Sequence, residues 1–74
     1  MQEKIKEILG ELLMGVDLDS ETLADDGFID SIVVVNLVTE LDLEFDVEIP
    51  FDALVNENFN SVAAIEKLVL SLQK

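Results

Sequence analysis

Apolar residues recur at three- and four-residue spacing near both ends of this chain, and that spacing strongly favours helix. At the N-terminal end the set is Ile5, Ile8, Leu9, Leu12 and Leu13; at the other it is Val62, Ile65, Leu68, Val69 and Leu72. Residues three and four apart share one side of an α-helix, so each set is a buried stripe in waiting. The first predicts a helix over residues 2–14, with Glu3, Glu7 and Glu11 largely off the stripe. Gly10 costs that helix ~1 kcal/mol against alanine, and Gly15 suits its stop. The last helix is expected to be capped by Asn60 or Ser61 and to run through Leu72, with Phe59 anchoring the chain before it.

Between these ends lies a polar stretch, "VDLDSETLADDGFI", with Leu18, Leu23, Phe28 and Ile29 as scattered anchors. Connections this long are uncommon in small domains and often functional. A second helix is predicted over residues 31–45, with Asp30 as its N-cap and Ile32, Val35, Val38, Leu41, Leu43 and Phe45 among its apolar positions. The valine run at 33–35 suits a strand by propensity, but no second strand is present to pair with it. Pro50 pushes the residue before it out of the helical region, so helix two ends within 46–50. A short third helix is expected over 51–55. The expectation is an all-α four-helix bundle, with three longer helices, one short one and a long loop between the first two.

Charge narrows the function. The 74 residues carry seventeen acids against four lysines, with no histidine and a net charge of −13. No positive side chain occurs between Lys6 and Lys67. Such a surface repels nucleic-acid phosphate and anionic lipid and attracts basic protein patches. There is no cysteine, hence no disulfide and no thiolate site. The first residues lead into an amphipathic pattern rather than a signal h-region, and no apolar run is long enough to span a bilayer. The expectation is one domain over residues 1–74, cytoplasmic and monomeric, without nucleic-acid partners.

The stretch "GFIDSIVVVNL" sets a serine, Ser31, directly before the apolar run. Four readings compete. Ser31 can be a first-turn or cap serine of helix two. A catalytic nucleophile would need a positioned base, and the chain has no histidine and no G-x-S-x-G elbow. A calcium loop over "DLDSETLADDGF" fails because its sixth and twelfth positions are Thr22 and Phe28 rather than glycine and glutamate. The fourth is covalent modification: a phosphate ester at a helix N-terminus meets a favourable dipole and unpaired N–H groups.

The wider stretch "GFIDSIVVVNLVTELDLEFDVEIP" resembles the central motif of acyl carrier and peptidyl carrier proteins. Asp30-Ser31-Ile32, Glu44-Phe45 and Ile49-Pro50 match that family's order and spacing, and "NFNSVAAI" resembles the start of its last helix. The resemblance covers almost the whole chain and implies the acyl-carrier type of four-helix bundle. It implies that a phosphopantetheinyl transferase, with coenzyme A as donor, attaches 4'-phosphopantetheine to Ser31, which would make the chain a phosphoprotein. Asp30 would orient Ser31 together with the transferase's metal and cofactor. The arm would hold acyl or aminoacyl groups as thioesters and pass them between enzymes of fatty acid, polyketide, peptide or related biosynthesis. The protein itself would catalyse nothing. Helix two would be its recognition surface, through Ile32, Val33, Asn36, Leu37, Glu40 and Leu43, for the transferase, a loading ligase and synthases with basic or apolar docking patches.

The chain departs from typical fatty-acid carriers at Val33 and Asn36, early second-helix positions that are often acidic there, and Leu43 is also apolar. Its negative charge lies further along, at Glu40, Asp42, Glu44, Asp46 and Glu48. The "GFIDS" segment is closer to stand-alone carriers that serve adenylating ligases, including D-alanyl and peptidyl carriers. The rival from another class is an acidic helical interaction module that carries no prosthetic group.

Overall fold

The computed structural model describes residues 1–73, and each apolar stripe becomes a helix in it. The order is α1 (Gln2–Leu12), α2 (Ser31–Phe45), α3 (Asn56–Phe59) and α4 (Val62–Leu72), with a 3-10 turn at Phe51–Ala53. The described residues contain no strand, so the valine run at 33–35 is helical, as expected. α1 packs against α2 and α4, and α3 packs against α4.

α1 buries Ile5, Ile8 and Leu9. It ends at Leu12, two residues short of the expected stop. The Leu13 N–H closes the last turn on the Leu9 carbonyl at 2.7 Å. Gly15, at φ 80°, then turns the chain in a conformation that side chains with a Cβ rarely adopt. α4 is capped by Ser61, whose hydroxyl accepts the Ala64 N–H at 3.0 Å. It buries Val62, Ile65 and Val69, leaving Leu68 and Leu72 half-buried at the core's edge.

α2 divides differently from its expected stripe. Leu37 and Leu41 are fully buried, while Ile32, Val35 and Leu43 are exposed. At 100° per residue, Val34, Leu37, Leu41 and Phe45 follow one line, and Ile32, Thr39 and Leu43 follow the opposite line. Both lines are largely apolar, so spacing alone does not choose which one faces inward. Contact with α1 decides it.

Proline does not stop this helix. Asp46 adopts the left-handed conformation at φ 52°, and the Asp46 and Val47 N–H groups both donate to the Asp42 carbonyl. The Asp42 carboxylate accepts the Ile49 N–H at 3.2 Å. Pro50 instead starts the 3-10 turn, its carbonyl accepting from Ala53 at 3.0 Å. The short helix expected at 51–55 is therefore a 3-10 turn, and the true α-helical turn follows it at Asn56–Phe59.

The core is a mixed set. Ile5 and Leu9 from α1, Leu37 and Leu41 from α2, Phe59 from α3, and Ile65 and Val69 from α4 are almost wholly buried. Leu23 joins them from the long connection. No polar or charged residue is buried among the described residues, so the core carries no uncompensated desolvation cost. Phe28 is the exception among the expected anchors: it is exposed, while Ile29 beside it is buried.

One side chain fastens that connection. The Asn60 amide oxygen accepts the Ala24 and Asp25 N–H groups at 3.0 and 2.9 Å. Its amide nitrogen donates to Asp25 Oδ2 at 3.2 Å, and its backbone carbonyl accepts the Leu23 N–H at 3.0 Å. Asn56 adds a bond to Asp25 Oδ1 at 3.1 Å. The clamped segment then closes on itself. Phe28 donates to the Leu23 carbonyl and Gly27 to that of Ala24, both at 3.0 Å, with Gly27 at φ 85°. This is the glycine-terminated turn that usually ends a helix.

Two of the four lysines serve as ties. Lys4 reaches Glu7 at 3.3 Å and, across to α2, Glu44 at 3.7 Å. The hydrogen bond that Lys4 donates to Glu7, then the charge of Glu44, raise the Lys4 ammonium above its ordinary pKa. Lys6 holds Asp19 of the long connection at 3.1 Å. All these groups are exposed, so each pair adds little stability.

Four substitutions test this account by thermal unfolding. Asn60→Ala should cost ~1–3 kcal/mol, because it leaves the Ala24 and Asp25 N–H groups without their acceptor. Asn60→Asp keeps an acceptor but sets a carboxylate against Asp25. Its melting point should lie below that of the parent at neutral pH. Gly10→Ala should raise stability by ~0.5–1 kcal/mol, since a Cβ there meets only Leu18 Cδ1 at 3.8 Å. Asp46→Gly should add about 0.5 kcal/mol by relieving the left-handed conformation, less the extra freedom of unfolded glycine. At ~4–8 °C per kcal/mol for a chain of this size, each shift is measurable.

Candidate functional site

The start of α2 is built by Asp30, not by Ser31. Asp30 has extended backbone, and its Oδ1 accepts the Ile32 and Val33 N–H groups at 3.0 and 2.9 Å. It is the N-cap, and Ser31 is the first helical residue. The cap reading of Ser31 is thereby displaced. Its side chain is exposed, and its hydroxyl makes no hydrogen bond among the described residues. The anion-cradle argument also changes. Two of the N–H groups that would greet a phosphate at this helix end are already committed to Asp30.

Ser31 sits on a cleft of about 490 Å³. One wall comes from α2, through Val34 and Val35. The other comes from the segment after Pro50, through Phe51, Leu54 and Val55, with Phe59 alongside. Asp30 and Asn56 are its main polar side chains besides Ser31, and no cation lines it. The clamp on Asn60 matters here, because Ala24, Gly27 and Ile29 of the clamped connection also line the cleft. Sequence reasoning missed this second wall. The only signal for it was an apolar set after Pro50 that the terminal helix did not use.

The residues expected to read partners are placed unequally. Ile32, Asn36, Glu40 and Leu43 lie on the exposed side of α2. Val33 is half-buried against the core. Leu37 is wholly buried and belongs to the core, because it shares the inward line with Val34 and Leu41. Of the acids on and after α2, Asp42 is spent on Ile49 and Glu44 faces Lys4, while Glu40, Asp46 and Glu48 stand exposed without such ties among the described residues.

Comparison with known proteins bears on this geometry. The family described as "Phosphopantetheine attachment site" matches residues 3–69. The D-alanyl carrier protein of Streptococcus uberis is 33% identical over 75 residues, spanning 99% of this chain and 95% of its own length. That of Streptococcus thermophilus is 31% identical over the same spans. Aminoacyl carrier protein 1 of Bradyrhizobium diazoefficiens is 31% identical over 67 residues, 90% of this chain and 74% of its own. No solved structure matches. The surroundings of Ser31 fit a tethered phosphopantetheine, which needs an exposed hydroxyl that the helix does not consume and open space beside it. With a family match over nearly the whole chain and relatives of nearly its own length, this protein belongs to the phosphopantetheine-binding carrier proteins.

Proposed function

We propose that Ser31 bears the 4'-phosphopantetheine arm and that the protein carries acyl or aminoacyl groups on it as thioesters. The observation that carries this reading is the division of labour at the start of α2: Asp30 caps the helix, so the Ser31 hydroxyl is exposed and unspent. The arm supplies a flexible tether that ends in a thiol, and the thiol is what holds cargo. In the loading step the Ser31 Oγ attacks the β-phosphorus of coenzyme A. The new O–P bond replaces the bond to adenosine 3',5'-bisphosphate, which leaves, and the serine proton passes to a base of the transferase.

This chain's own residues hold and present; they do not catalyse. It has no histidine, and Lys4 and Lys6 are engaged with Glu7, Glu44 and Asp19 rather than with Ser31. Asp30 spends Oδ1 on the cap, and its Oδ2 accepts no hydrogen bond among the described residues. That second oxygen is available to the cation through which a transferase binds coenzyme A. Among cargo classes, aminoacyl groups are favoured. Their ammonium is attracted by a surface of charge −13, and the similar proteins are D-alanyl and aminoacyl carriers. The partners are then a transferase, an adenylating ligase that loads the arm, and an enzyme that takes the cargo. Self-repulsion at this charge favours a monomer. No described helix is long and apolar enough to cross a membrane.

Intact-mass measurement after incubation with coenzyme A, magnesium and a broad-specificity transferase tests the assignment. The expected gain is one phosphopantetheine, absent in Ser31→Ala. A gain that persists in Ser31→Ala moves the attachment elsewhere, and no gain with several transferases returns the chain to an interaction module. Asp30→Asn keeps a cap acceptor and removes the charge. It should slow modification at least ~10-fold, the scale of one charge-assisted contact, with a nearly unchanged melting point.

A further inference from the structure

Phe51 is 89% exposed, the most exposed residue among the large apolar side chains. It is not a loose end. Pro50, with φ −72° and ψ 154°, leads into the 3-10 turn that carries Phe51, and the Ala53 and Leu54 N–H groups bind back to Pro50 and Phe51. The ring belongs to the same cleft as Ser31, where Val35 and Val55 are also exposed, at 58% and 43%. Asp30 and Asp52, exposed at and beside this cleft, give it a negative border, and no cation lines it.

We infer that Phe51, with Val35 and Val55, forms an apolar docking point for the phosphopantetheinyl transferase, whose matching surface has an apolar centre and a Lys/Arg rim. The inference rests on the assignment of Ser31 as the attachment site. Its geometric basis is that an enzyme reaching the Ser31 hydroxyl must cover the cleft on which Phe51 stands. The docking face is therefore not confined to α2. Its aromatic anchor comes from the turn after Pro50. Centrally placed aromatic residues ringed by polar groups are the usual source of binding energy at such surfaces. Charge selects the occupant. A second copy of this chain would bring another −13 to the same border, whereas a basic rim is attracted to it.

The experiment measures transferase kinetics on Phe51→Ser, with Met14→Ser, at an equally exposed apolar side chain outside the cleft, as a control and intact mass as the readout. Phe51→Ser should raise the KM for the carrier at least ~10-fold, as loss of an aromatic anchor does, while prolonged incubation still adds one phosphopantetheine. Met14→Ser should change KM far less. The melting point of Phe51→Ser should match the parent, because so exposed a ring contributes little to the core. KM should also rise with salt for the parent. An unchanged KM in Phe51→Ser overturns the inference, as does an effect equalled by Met14→Ser. A lowered melting point overturns it too, since the ring would then be part of the fold. Sedimentation showing a dimer that Phe51→Ser dissolves would make the occupant a second copy. A parent that takes no phosphopantetheine at all instead overturns the Ser31 assignment, so the two failures are distinct.

Discussion

The Asn60 amide is the interaction on which the site's geometry rests. With its own carbonyl, it binds three consecutive N–H groups, those of Leu23, Ala24 and Asp25. Those bonds join the long connection to the junction of α3 and α4, which are far away in sequence. Leu23 enters the core there, and the turn at Gly27 follows. The chain is thereby aimed so that Ile29 is buried and Asp30 starts α2. Each later step depends on the earlier one: clamp, buried leucine, tight turn, cap, exposed serine. Backbone groups in an irregular segment need partners as much as those in a helix do, and here one residue, Asn60, supplies three of them.

α2 has to satisfy two surfaces at once. Its inward line, with Leu37 and Leu41, packs against α1 and the rest of the core. Its outward line, with Ile32 and Leu43, is nearly as apolar, and nothing in the described chain covers it. Exposed apolar side chains of this kind oppose solubility unless charge intervenes. The acids on and after α2, together with the high net charge, serve that end.

Much of this was legible in the sequence. The stripes of α1 and α4 gave those helices and their buried residues, because each has one apolar side and one polar side. Asp30 was legible as a cap, and the resemblance to the family motif is what singled out Ser31 for the proposed attachment. Leu37 was misread as a partner contact because α2 is apolar around most of its circumference, which leaves periodicity without a preferred direction. Phe28 was misread as an anchor because a loop has no period from which to infer burial. Asn60 was legible only as a cap residue. Its clamp joins positions about 35 residues apart, and no local pattern records such a bond. The 3-10 turn and α3 were merged and shifted because each is too short to show a repeat.

The Asp30 cap has a mechanical consequence. A helix end usually grips a phosphate, since its N–H groups and dipole make a socket. Here the Asp30 carboxylate has taken the Ile32 and Val33 N–H groups and added a negative charge beside the serine. On the proposed assignment, a phosphodiester on Ser31 would be pushed away from the helix rather than drawn into it. The attachment point would behave as a swivel whose resting position is outward. Such a joint would leave the arm's direction to be set by whichever basic surface approaches, so the visiting enzyme rather than the carrier would decide the route of the cargo.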